Sequence, residues 1–128
     1  MAIDPGLTGT AELTVTTADT AEALGSGDVP VLGTPRVLAL AEAATVAALD
    51  GRLEAGHTSV GAEVHLKHTA PTPVGAQVVA TARLVRAEGR RLVFEVSVTQ
   101  EGRQVAVGTV ERVVVPRERF LSGLRPGE

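Results

Sequence analysis

The chain has no cysteine, tryptophan or tyrosine among its 128 residues, and only two phenylalanines. Without cysteine there is no disulfide, no thiolate metal ligand and no thiol nucleophile. With aromatics this scarce, base-stacking platforms for single-stranded nucleic acid are not expected. Positive charge is not in excess either. Twelve Lys and Arg against fifteen Asp and Glu give a formal net charge of -3, so nucleic acid is not an expected partner. The opening MAIDPGLTGT lacks the basic-then-apolar pattern of an export signal, and a cytoplasmic location is expected. No internal repeat is visible. The length suits one domain with a real core over 1–128, with about 117–128 as a C-terminal extension whose end, LSGLRPGE, is expected to fray.

What is present begins with RVLALAEAATVAALD, Arg36 to Asp50. Ala and Leu dominate it, and both are strong helix formers. Thr34 is expected to cap the helix, with Pro35 at its first position and Asp50-Gly51 as its stop. The helix should run from about Pro35 to about Leu49. It is shorter than the roughly 20 residues a membrane span needs, so no membrane partner is expected. Glu42 shares one face with Leu38, Thr45, Val46 and Leu49, and the opposite face is apolar too. A helix apolar all round is a core helix. Glu42 then lies in or beside the core, where a carboxylate is costly unless paired. It has either a structural partner or a chemical task.

The rest of the chain alternates. AELTVTT reads as a strand and Thr20 to Leu24 as one short helical turn. SVGAEVHLKHTA reads as a second strand, broken by APTPVG. AQVVATARLVRA, RRLVFEVSVTQ and RQVAVGTVERVVV follow, with hairpin turns at Glu88-Gly89 and Glu101-Gly102. The order is strand, buried helix, then four strands in a meander. This predicts an α+β hotdog architecture, a curved antiparallel sheet wrapped around one central helix.

Strand parity separates two of the three histidines. Val60, Ala62, Val64, Leu66 and His68 share one face, expected to meet the helix. Glu63, His65 and Lys67 share the other, expected to meet water. His65 and His68 therefore do not form a metal pair, and no metal site is expected. His57 lies in a loop without distinguishing features. An inward His68 and an inward Glu42 form an acid–base pair in principle. Thr34 stands at a helix N-terminus, where partial positive charge suits a carbonyl becoming an oxyanion. Thr34 and Glu42 are eight positions apart on one helix, about 12 Å of rise. A site using both must bridge them or draw them from two subunits. The second is preferred, and a homodimer with sites at the subunit interface is expected.

The segments GTPRVLALAEAA and SVGAEVHLKHTAPTPVGAQVVATARLVRAEGRRL resemble the fluoroacetyl-CoA thioesterase family of hotdog proteins. The resemblance covers the chain from the helix through the last strand. That family uses a Thr opening the central helix, a Glu within it and a His beginning an HTA-x-TP-x-G turn. The matching residues here are Thr34, Glu42 and His68, within HTAPTPVG. Gly61 matches a position the family uses near the acyl group, and Leu38, on the Glu42 face, is grouped with it as substrate-binding.

The resemblance implies hydrolysis of an acyl-CoA to free acid and CoA. Glu42 would be nucleophile or water-activating base, His68 proton carrier and Thr34 a positioning group. No cofactor is implied, since CoA belongs to the substrate. The family's fluoroacetyl-specific enzyme carries lid phenylalanines just before the helix. The corresponding GSGDVPVLG has none, and Phe94 and Phe120 lie elsewhere. Thioesterase chemistry therefore carries over better than fluoroacetyl preference, and a small or aliphatic acyl group is expected. Arg83, Arg86, Arg90 and Arg91 read as solvated strand ends rather than CoA-phosphate ligands. The alternatives are a non-catalytic module binding acyl-CoA or a small hydrophobic metabolite and, last, a hydratase, whose Asp/His loop–helix motif is not found.

Overall fold

Alternating segments build five strands, and the Ala- and Leu-rich run builds the long helix. In the computed structural model, which describes residues 3–127, β1 (Thr8–Thr14) leads to a 3-10 turn (Thr17–Asp19) and α1 (Ala21–Leu24). Then come α2 (Thr34–Ala48), β2 (His57–His68), β3 (Gln77–Glu88), β4 (Arg91–Gln100), β5 (Arg103–Pro116) and α3 (Arg117–Ser122). The expected domain span of 1–128 runs past the described residues at both ends. The strands form one antiparallel sheet in the order β1-β3-β4-β5-β2, and α2 touches all five. This is the α+β arrangement expected from the pattern.

Val37, Leu40, Ala41, Ala44 and Ala48 of α2 pack on Val78, Leu84, Leu92, Phe94 and Val98 of the sheet. Burying each large apolar side chain contributes about 1.5–3 kcal/mol. Small residues set the spacing. A Cβ at Gly9 would overlap the backbone of Ala44 and Ala48, so β1 meets α2 backbone to backbone.

Three features differ from expectation. First, β2 lies at the sheet's edge beside β5, so only β3, β4 and β5 form a meander. Pro71 and Pro73 lack the N–H groups that a paired hairpin needs, and β1 takes the place beside β3. Second, β2 carries a bulge. Gly61 pairs with Arg112 and Glu63 with Glu111, leaving Ala62 over. Parity reverses there. Val64, Leu66 and His68 face inward as expected, but Ser59 and Gly61 do so before the bulge, not Val60 and Ala62. Third, α2 is not buried all round. Ala39, Ala43, Val46 and Ala47 are exposed in the single chain, and Glu42 and Leu38 are half-buried at the boundary.

Candidate active site

Two backbone ties bring the start of α2 to the end of β2. The Leu32 N–H donates to the Thr72 carbonyl at 2.9 Å, and Val31 bridges to Pro73. Thr34, carried on the first turn of α2, meets His68 on the last residue of β2. Its Oγ1 lies 2.8 Å from His68 Nδ1. Thr34 is not the cap expected from the sequence. Gly33 holds that position with extended backbone, the helix begins at Thr34, and no side chain caps it. The hydroxyl goes to the imidazole instead.

His68 is half-buried. Desolvation pushes its pKa below the usual 6.5, and the Ala70 backbone offsets part of that. The imidazole is therefore neutral at pH 7, with one N–H and one basic nitrogen. Its Nε2 is buried with no hydrogen-bond partner among the described residues. If Thr34 donates to Nδ1, Nε2 carries the proton. If Nδ1–H donates to Thr34, Nε2 is the base. Both arrangements leave Nε2 as the ring nitrogen whose proton or lone pair is unengaged among the described residues.

A cleft of about 310 Å³ opens beside this pair, lined by Thr34, His68, Ala70 and Pro71 and by Gly27, Val29 and Val31 across from them. The aromatic-free stretch GSGDVPVLG is thus a cleft wall. Phe94 is fully buried in the core and Phe120 lies exposed on α3.

Glu42 belongs to a second cluster. Its Oε2 is 3.5 Å from Arg112 Nη1, with side chains 33% and 7% exposed. That separation is an ion pair, longer than a charge-assisted hydrogen bond. Arg112 in turn donates from Nε to Ser59 Oγ at 2.9 Å and from Nη2 to the Ser59 carbonyl at 3.0 Å. Burial pushes the Arg112 pKa down and the Glu42 charge pushes it back up. A guanidinium stays charged regardless. Gly61 completes the cluster, since a Cβ there would overlap Glu42 Oε2. Leu38 sits one helical turn before Glu42, half-buried. No hydrogen bond or ion pair joins Glu42 to Thr34 or His68 among the described residues. The structure therefore pairs Thr34 with His68 and places Glu42 with Gly61, apart from them.

The family model of fluoroacetyl-CoA-specific thioesterases matches residues 15–118. This chain belongs to that family. It is 39% identical over 95 residues to the fluoroacetyl-CoA thioesterase of Streptantibioticus cattleyicolor, covering 74% of this chain and 68% of the relative. Among solved structures, a point variant of the fluoroacetyl-CoA-specific thioesterase superposes with a TM-score of 0.91 at 31% identity, over 100% of this chain and 99% of that one. A hot-dog-like protein from Thermanaerovibrio acidaminovorans gives 0.86 at 27% identity, over 94% and 90%. The fold is the hotdog fold.

The other candidates in this family member are surface residues. His65 Nε2 lies 3.0 Å from Glu63 Oε2, both exposed. His57 opens β2, with Nδ1 3.3 Å from the Ala55 carbonyl. Arg83 pairs with Glu95, Arg86 with Glu88 and Arg91 with Glu111. Among the described residues no group of three or more His, Asp or Glu side chains could hold a metal ion. No helix there is long and apolar enough to cross a membrane. Arg112 and Ser59 were missed by sequence reasoning. The signal for Arg112 was available: Ala106, Gly108, Val110, Arg112 and Val114 share one strand face, and a cation stands in an otherwise apolar row.

Proposed function

We propose that the chain hydrolyses a small or aliphatic acyl-CoA, adding water across the thioester to give a carboxylate, CoA thiol and a proton. Thr34 and His68 of one copy act with Glu42 of a second, in a cytoplasmic homodimer. The observation that carries this reading is the Thr34–His68 bond at the cleft wall, in a chain of a thioesterase family. The positive end of α2 receives the carbonyl oxygen as charge develops on it. His68, neutral at pH 7, moves the proton that the thiolate finally takes. Glu42 attacks the carbonyl carbon, the C–S bond breaks to release the thiolate, and water then cleaves the anhydride so formed. Or Glu42 takes the proton from a water that attacks instead, and the adduct collapses with the same C–S cleavage. No cofactor enters either route.

Three features support the second copy. Glu42 and Thr34 are about 12 Å apart along one helix. Ala39, Ala43 and Val46 leave an apolar stripe of α2 exposed on either side of Glu42. β1 and β2 are unpaired sheet edges. The aliphatic cleft wall of Val29 and Val31 supports acyl groups without an aromatic ring.

Thiol release from acetyl-, fluoroacetyl-, medium-chain and aryl-CoA tests the reaction, with Glu42→Ala as control. Acyl-CoA binding by calorimetry without thiol release would replace hydrolysis with a binding role. Mixing two inactive variants, Thr34→Val and Glu42→Gln, tests the shared site. Randomly exchanged dimers carry one intact site in half the molecules, so about a quarter of wild-type activity returns. No recovery, with exchange verified by mass, places all three residues in one chain's site.

A further inference from the structure

The Glu42 carboxylate is held by one of its two oxygens, and the holder is itself held. Arg112 projects from β5 into the apolar face of the sheet, with its side chain 7% exposed. A buried guanidinium with free rotation would point at whichever acceptor came near. Here it has no such freedom. Ser59 stands diagonally across the β2–β5 ladder, since Gly61 is the direct partner of Arg112. It accepts twice, through Oγ from Nε at 2.9 Å and through its carbonyl from Nη2 at 3.0 Å. Two bonds to one residue fix the plane of a guanidinium. The nitrogen left over, Nη1, is then aimed at Glu42 Oε2, 3.5 Å away. Gly61, the cross-strand partner of Arg112, lies against the same oxygen, with no room there even for a methyl group. Oε2 is thus the oxygen that meets both Arg112 and Gly61, and no hydrogen bond to Oε1 is made among the described residues.

We infer that Ser59 and Arg112 are positioning residues that clamp Oε2 of Glu42 and thereby select Oε1 as the reacting oxygen. This rests on the proposed role of Glu42. Ser59 touches neither Glu42 nor substrate in this scheme and acts through the guanidinium. Orientation of a reacting group to within an ångström is worth large factors in rate, whereas binding of the CoA portion is untouched. The clamp should therefore appear in kcat and not in KM.

The test is a double-mutant cycle on Ser59→Ala and Arg112→Lys, read by thiol release and thermal melting, with Ser59→Thr and Glu42→Gln beside it. Arg112→Lys keeps the charge and loses the planar fork. Each single change is expected to lower kcat roughly tenfold to a hundredfold at unchanged KM. The double variant should be little worse than either single one, since both remove the same constraint. Ser59→Thr retains the hydroxyl on a strand-compatible side chain and should restore most of the rate. Wild-type kcat in both Ser59→Ala and Arg112→Lys, while Glu42→Gln is inactive, overturns the clamp and leaves the role of Glu42 standing. An active Glu42→Gln overturns both. If one variant fails to fold, the other alone decides, through its kcat-against-KM split.

Discussion

Replacing Gly61 with alanine should make the protein no less stable and much less active. Gly61 sits within β2, and its φ is not in the left-handed region, so alanine meets no backbone strain. The added methyl overlaps Glu42 Oε2, and its next neighbours are Glu42 Cδ at 3.5 Å and Arg112 Nη1 at 3.7 Å. The overlap is with the far end of a half-exposed side chain and not with backbone. Glu42 can swing away at little cost, by about 1 Å, to reach ordinary contact distance. On the stability side, alanine in a strand interior gains about 0.5–1 kcal/mol over glycine. Part of that is spent on loosening the Arg112–Glu42 pair, so the melting temperature should stay within a few degrees of wild type. On the activity side, a shift of about 1 Å in a reacting group costs on the order of a hundredfold in rate. The assay is thiol release on the best substrate of the panel, with melting followed on the same preparation. The reasoning fails if kcat stays within about twofold of wild type. It also fails if the melting temperature drops by roughly ten degrees, which would mean that the methyl strikes something that cannot move.

Two further outcomes follow from the Thr34–His68 pair. Thr34→Val removes the side-chain partner of His68 Nδ1 at nearly constant volume. It should lower kcat by about 10²–10³ with a stability change of about 1 kcal/mol or less, while Thr34→Ser keeps most of the rate; equal activity in Thr34→Val and wild type would remove Thr34 from the chemistry. Burial holds the His68 pKa below 6.5, so the acid limb of kcat/KM should lie below that value and vanish in His68→Ala. The stability sign follows from the same shift. The unfolded chain takes up the proton first, so His68 costs nothing well above pH 6.5. Its burial becomes a loss of stability as pH falls through 6.5 toward the lower folded value. A denaturant titration at pH 8 and pH 5 should show this loss in wild type and less of it in His68→Gln.

The helix and strands were legible because their signals are local. Ala and Leu without glycine made α2, and period-2 alternation made β3, β4 and β5 within a residue or two of the observed ends. Thr34 shows where local reading stops. A threonine before a proline is a good cap on propensity alone, yet its hydroxyl is taken by a histidine 34 residues away, and Gly33 holds the cap position with no side-chain cap. The edge position of β2 was hidden for a related reason. Hairpin signals say which consecutive strands can pair, and nothing local says that β1 returns to claim β3. Arg112 was different, since its phase in the β5 row was visible and only its partner was not.

The bulge at Ala62 joins these threads. Gly61 and His68 are seven residues apart in β2, so in a regular strand they face opposite sides of the sheet. If one met α2, the other would meet solvent. Ala62 adds one residue opposite Arg112 and Glu111, and parity reverses once between them. Gly61 then faces Glu42 while His68 faces Thr34, each against a different part of the same helix. An uninterrupted count from His68 reaches the right face for Leu66 and Val64 and the wrong one for Ala62 and Val60. The irregularity that defeats the parity argument is thus what lets one strand present both a histidine and a side-chain-free approach to α2. A functional reading of β2 has to begin from the bulge, because a β2 without it could supply one half of the proposed chemistry and not the other.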